Sequence, residues 1–222
     1  FEHNDGSWVG GKYWPGSGTL TFTCYAPYDA DAVTYDKTAN TLTIDCDNST
    51  DATDWLYGTT QPTGDKETAA VSVALNHALA QVEFNFTGTE TLVSLGTVTL
   101  NDTKATGTCV VTYNASVSVA WSAQDGDKDL TYNTEYADLT SQPKNLAAQL
   151  VVPVATQNAT LNFTYKLDGN VLTYSVPAAT LGAWEHGKKY TYNVSIGATE
   201  IKFSQPTVND FTPNTPVTSV PL

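Results

Sequence analysis

The chain has 222 residues, with 23 Asp and Glu against 10 Lys, no Arg, and a formal charge of −13 at pH 7. That balance excludes a binder of the nucleic-acid backbone, which needs clustered cations to displace counterions. No apolar run reaches the roughly 18 residues of a membrane-spanning helix, and the length suits one large β domain or two smaller sandwiches. Charged residues make up only 15% of the chain and Thr fills 36 positions, a balance that fits an extracellular β protein better than a cytosolic enzyme. With no Met present, the expectation is a processed or trimmed chain whose signal peptide is gone.

Period-two alternation of apolar and polar residues dominates, and helical periodicity is nearly absent. In chain order it predicts strands at 18–26, 41–46, 69–76, 81–87, 92–100 and 106–113, then at 116–121, 148–154, 159–167, 170–177, 188–196 and 199–204. Short helical turns are expected only near 51–57 and 76–80. Turn chemistry falls at Pro27-Tyr28-Asp29, Gly88-Thr89-Glu90, Asp125-Gly126-Asp127 and Asp168-Gly169-Asn170. The last is the strongest hairpin signal, because Asp-Gly between two alternating runs suits the primed turns that match strand twist. Many short strands with such turns between them predict an all-β sandwich architecture.

One stretch carries more information. Val71, Val73, Leu75, His77 and Leu79 share one parity, whereas Ala80, Val82, Phe84 and Phe86 share the other. Both halves can face a core only if a bulge or single turn intervenes at 77–80. Strands become more regular after residue 87, so the chain is divided into 1–87, 88–204 and a tail at 205–222.

Reactive chemistry is sparse. Cys24 and Cys46 each share strand parity with apolar neighbours and are expected to point into a core, where a Cys24–Cys46 bridge and buried free thiols both remain open. No Cys or His spacing suits zinc. His77 reads as a core histidine, and His3 and His186 read as solvated. Asp45, Asp47, Asp51 and Asp54 cluster within ten residues, and Asp125, Asp127 and Asp129 lack the Glu that closes a calcium loop and read as a solvated acidic loop. No carboxylate pair is nominated for glycoside hydrolysis, and no nucleophile or phosphate motif occurs. The expectation is a protein with no catalysis, no metal and no cofactor. Trp121 is expected in the core and Trp14 as a packing plug, and a sugar-stacking surface has no location in the sequence. The seven N-x-S/T sites read as a product of composition.

Tyr13-Trp14-Pro15 followed by Leu20-Thr-Phe-Thr-Cys-Tyr-Ala-Pro resembles the opening signature of the fimbrillin-like (Mfa-like) proteins of Bacteroidetes, the type V pilins and their relatives. Asp54-Trp-Leu-Tyr sits where that family has an acid followed by aliphatic residues. Val73-x-Leu75-x-His77-x-Leu79-Ala80-x-Val82-x-Phe84 resembles its most recognisable strand. Leu150-Val-Val-Pro, Leu161-x-Phe163-x-Tyr165 and Gly187-Lys-Lys-Tyr-Thr-Tyr-Asn-Val-Ser-Ile follow in the family's order. Ile201, Pro206, Val208, Asp210 and Phe211 resemble its closing motif, with Phe in place of Trp. The resemblance spans 13–211. It implies two tandem transthyretin-like β-sandwich domains, export as a lipoprotein precursor, proteolytic removal of an N-terminal strand, and polymerisation when another subunit supplies the missing strand. Family members carry further strands upstream, so the amino-terminal domain is expected to be short here.

On that footing the chain is expected to be a structural pilin subunit of an extracellular type V fimbria attached to the outer membrane. Its partners would be copies of itself and other pilus subunits. The alternative is a monomeric surface adhesin, or a pilus tip or anchor that binds a glycan, on the same fold. A sandwich lacking a strand exposes two unpaired edges and a strip of core. Ordering a donated segment costs about 1–2 kcal/mol per residue and each ladder bond returns only about 0.5–1.5 kcal/mol, so apolar fit must drive the insertion. Donor and acceptor surfaces differ, which makes the contact head-to-tail. The expected donor is the tail, with Ile201, Phe203, Val208, Phe211, Val217, Val220 and Leu222 as apolar anchors. Pro206, Pro213, Pro216 and Pro221 keep it extended. Each also removes a ladder donor, so the inserted part is expected as two short paired stretches.

Overall fold

A stretch that alternates apolar and polar side chains can bury one face only as a strand, and strands build almost all of this protein. The structure, a computed structural model, describes residues 19–61, 71–89, 93–156 and 158–212, together with the backbone of 2–4 and 7–9. β1 (Glu2–Asn4) and β2 (Ser7–Val9) pair with each other. β3 (Phe22–Ala26), β4 (Val33–Asp36), β5 (Thr41–Asp47), β6 (Leu56–Thr60), β7 (Asn76–His77) and β8 (Ala80–Gly88) follow. Two long strands come next, β9 (Val93–Tyr113) of 21 residues and β10 (Val117–Asn133) of 17. After the short β11 (Ala137–Asp138), β12 (Lys144–Asn145) and β13 (Gln149–Val151) comes the hairpin of β14 (Thr160–Leu167) and β15 (Asn170–Val176). One helical turn, α1 (Ala178–Leu181), then leads to β16 (Lys188–Ile196), β17 (Ile201–Phe203) and β18 (Thr207–Asp210).

β9 is the spine. One of its edges takes β10 along Val98 to Tyr113, then β11 at Ser94 and Leu95. The other edge takes β14 along its first half and β5 along its second. β15 lies outside β14, and β4 outside β5. A second sheet is built on β8 and β16, which run parallel, with β12 and β13 beyond β8 and β17 and β18 beyond β16. A third consists of β3, β6 and β7. The all-β sandwich class read from the sequence is therefore the class observed.

Two cores lie between these layers. The first gathers Val33, Leu42, Ile44, Trp55, Tyr57 and Ala78, and the second Val82, Phe84, Phe86, Leu161, Phe163 and Tyr192. β9 serves both, giving Val93, Leu95, Val98 and Leu100 to the second and Cys109, Val111 and Tyr113 to the first. The phase change at 77–80 is where the chain crosses between cores: Ala78 packs in the first and Ala80 in the second, with a bend between β7 and β8. Buried polar atoms of the second core are paired, as burial demands. Tyr192 Oη donates to the Leu181 carbonyl at 2.6 Å and accepts from Trp184 Nε1 at 2.9 Å.

The waist between the cores corrects three expectations. The strands predicted at 92–100 and 106–113 are one strand, and β10 runs straight through the turn predicted at Asp125-Gly126-Asp127. Asp102 (φ 61°) and Gly126 (φ 63°) absorb the irregularity. The acidic run is exposed, as read, but it lies within β10 rather than in a loop. Asp129 accepts from the Asp102 amide at 3.1 Å, Asp127 from Lys104 Nζ at 3.0 Å, and the Lys128 carbonyl from Thr103 Oγ1 at 2.6 Å. Lys128 Nζ donates to the carbonyls of Asn48 and Thr50. The helical turns expected near 51–57 and 76–80 give way to extended chain, and 71–75 of the expected strand is irregular. The Asp168-Gly169 turn is as read, with φ of 49° and 81° and Leu167 paired to Asn170.

Candidate assembly site

β16 is satisfied along one edge by its parallel register with β8. Its other edge is covered by the chain's own continuation. β17 pairs Ile201 with Ile196 through Phe203 with Val194, and β18 pairs Thr207 with Thr191 through Asp210 with Lys188. Between them Ser204 donates to the Asn193 carbonyl at 3.1 Å, and Pro206, which has no N–H, interrupts the ladder. Residues 201–210 therefore form one edge strand in two paired stretches, within their own molecule.

Four of the seven anchors assigned to the donor tail fall within the described residues. Ile201 and Phe203 are half-buried against the second core, and the Phe203 ring stacks on Tyr192 with centroids 5.5 Å apart. Val208 is exposed on β18. Phe211 donates its amide to the Gly187 carbonyl at 2.8 Å and lays its ring on His77, centroids 3.5 Å apart and planes 7° apart. Val217, Val220 and Leu222 lie outside the described residues.

His77 anchors this latch. Its position at the crossing between cores buries the ring, and its Nδ1 lies 2.7 Å from Asp54 Oδ1. The Asp54 carboxylate accepts from Nδ1–H, which holds the ring in place. Nε2 is buried with no hydrogen-bond partner among the described residues. Gly187, held at φ 66°, donates to the Leu79 carbonyl at 2.9 Å and so brings its own carbonyl under Phe211. Asp54, His77 and Phe211 form a column at the waist, tying the loop before β6, the crossing and the end of β18. The Lys188–Asp210 pair at 2.6 Å sits on the surface and contributes little. Because β18 runs antiparallel to β16, the chain reaches this column heading away from the β17 end of the sheet.

His186, expected in solvent, is half-buried beside Tyr57, whose Oη lies 3.4 Å from Nδ1. Burial lowers its pKa from the ordinary histidine value. A base so depressed favours its neutral form in the native state, so its contribution is complete above the unfolded-state pKa and is lost as pH falls through the folded one. His186→Gln is expected to flatten the loss of thermal midpoint between about pH 7 and pH 5. Equal losses in both proteins would contradict this.

The Cys24–Cys46 bridge left open by the sequence is not made, and all three thiols are free. Cys24 sits opposite Gly58 in the three-stranded sheet, whereas Cys46 sits opposite Gly107 in the long one. Cys46 and Cys109 are buried in the first core, and burial pushes both thiols up, Cys109 to about 12. Among the described residues no three His, Cys, Asp or Glu side chains converge as metal ligands. Trp55 and Trp184 are buried and Trp121 packs half-buried on the first core, so these three build no exposed aromatic platform. The side chains of Trp8 and Trp14 lie outside the described residues.

What stands out is a set of strand edges and a latched terminal strand in an all-β sandwich protein. Residues 1–210 match the family described as fimbrillin-like, and the chain belongs to that family, a structural and adhesive one rather than an enzymatic one. Two solved structures share the architecture. A Bacteroides uniformis protein assigned to cell adhesion is 21% identical with a TM-score of 0.58, covering 90% of this chain and 77% of its own. A Bacteroides ovatus protein with the same assignment is 15% identical with a TM-score of 0.57, covering 96% and 75%. At such identities the likeness is one of fold. No curated protein sequence matches the chain.

Proposed function

We propose that the protein is a structural subunit of an extracellular, outer-membrane-attached fimbria, polymerising head to tail as each copy donates its C-terminal segment to the next. On this reading the two cores are tandem transthyretin-like sandwiches, and the partners are copies of the chain and other fimbrial subunits. Fimbrillin-like membership supports a pilin-type role at the cell surface. The observation that carries the reading is the end of β18: the chain is pinned by Phe211 on His77 and is directed away from its own β17 edge. Beyond it, 212–222 bears Val217, Val220 and Leu222 and no charged side chain. The donor is accordingly 212–222 rather than the whole of 205–222, because 207–210 already complete their own sheet.

Concentrated protein is expected to show thin filaments by negative-stain microscopy and a ladder on unheated SDS gels. A chain that stays monomeric at every concentration, under conditions in which the fimbria assembles, overturns the proposal.

A further inference from the structure

β15 is the outermost strand of the long sheet, paired with β14 along one edge and with nothing along the other among the described residues. The hairpin decides which of its backbone groups are left over. A two-residue turn with φ of 49° at Asp168 and 81° at Gly169 makes the flanking residues, Leu167 and Asn170, a hydrogen-bonded pair. Bonded and non-bonded pairs alternate along an antiparallel ladder. Leu172, Tyr174 and Val176 therefore turn their amides and carbonyls toward β14, whereas Val171, Thr173 and Ser175 turn theirs to the bare edge.

Such edges are normally blunted by charge, proline or brevity. Other outermost strands follow that rule: β4 has four residues and carries Asp36, and β17 has three and carries Lys202. β15 does not. Its seven residues, Asn170-Val-Leu-Thr-Tyr-Ser-Val, include no charge and no proline. It also gathers three large apolar side chains in solvent, with Val171 58%, Leu172 39% and Tyr174 41% exposed. We infer that β15 is a self-pairing edge, on which a second copy of this chain docks through its own β15, antiparallel and with Thr173 on the two-fold axis. The contact is isologous and closes at two copies. It joins subunits side by side and is separate from head-to-tail polymerisation.

Three observations select this occupant and this register. With Thr173 opposite itself, Val171 faces Ser175 of the second copy, and every outward amide and carbonyl on both strands meets a partner. Sliding by two residues sets Val171 opposite Pro177, which has no N–H, or Ser175 opposite Gly169 in the turn. The same register places each Leu172 against Tyr174 of the second copy at the non-bonded sites, where side chains lie closest, so the exposed apolar pair covers itself. Charge supplies the third observation. Copies of charge −13 repel in most orientations, and a strand without charge lets two of them meet while offering a cationic partner nothing to hold.

The test uses full chains in a Cys24→Ser background, because Cys24 is the one native thiol not fully buried. A mixture of Leu172→Cys chain with Tyr174→Cys chain is expected to give a disulfide-linked pair on a non-reducing gel. Either variant alone should link about tenfold less, because like positions then lie a diagonal of about 7–8 Å apart, beyond the reach of a disulfide. Thr173→Lys, at an exposed position, should leave the thermal midpoint and the filaments unchanged. It should weaken pairing about tenfold or more in sedimentation velocity, since it sets two ammonium groups across the axis. A mixture that does not link, variants that link as well alone as together, or a Thr173→Lys chain that pairs like the parent would each overturn the inference. If the mixture fails to link and Thr173→Lys abolishes filaments, the edge takes a different segment of the second copy and self-pairing is refuted.

Discussion

A chain ending at Phe211 is expected to fold with an unchanged thermal midpoint and to form no filaments. The folded body keeps all it uses: β18 stays on β16, the Phe211 amide on Gly187 and the Phe211 ring on His77. What is lost is the uncharged run with Val217, Val220 and Leu222, the apolar payload that another copy's slot would bury. Pro213, Pro216 and Pro221 restrict that run before it binds, which lowers the entropy cost of ordering it. Truncation after Ser204 should behave differently. It strips β18 from Lys188–Thr191 of β16 and uncovers the His77 ring, so it should lower stability as well as abolish assembly. Size-exclusion chromatography, thermal melts and microscopy of both truncations separate the two effects. Filaments from the chain ending at Phe211 would refute the donor assignment.

Phe84→Ala is expected to cost about 3–5 kcal/mol, the usual range for truncating a buried aromatic ring. Phe84 has no exposed surface, stacks on Tyr192 with centroids 5.4 Å apart, and meets the edge of Tyr132 at 4.9 Å. Its neighbours cannot easily collapse into the hole. Tyr132 Oη donates to the Val82 carbonyl at 3.1 Å and Tyr192 Oη to the Leu181 carbonyl at 2.6 Å, so either ring moves only by giving up a buried bond. Against a typical domain stability of about 5–15 kcal/mol the loss is large. Urea unfolding followed by tryptophan fluorescence measures it, since Trp184 lies in the same core. A loss below about 1 kcal/mol would mean the ring is not packed as described.

By itself the sequence determined the all-β class, the hairpin at Asp168-Gly169, the change of buried face at 77–80 and the order of motifs that places the chain among fimbrillin-like proteins. These features are local: strand parity and turn chemistry act over a few residues and leave their mark on composition. Only the tertiary structure decided that Asn101–Lys104 is the middle of β9 rather than a break between strands, and that Asp125–Asp127 is the middle of β10. A polar interruption and a turn are written in the same residues. Here the difference was made by cross-strand partners about 25 residues away, where Lys128 and Asp129 receive Thr103 and Asp102. Tertiary structure likewise kept β18 within its own molecule, because a four-residue edge strand is held by backbone bonds that any residue but proline can make. The Asp54–His77–Phe211 column has no sequence pattern either, since its members are brought together by the crossing between two cores.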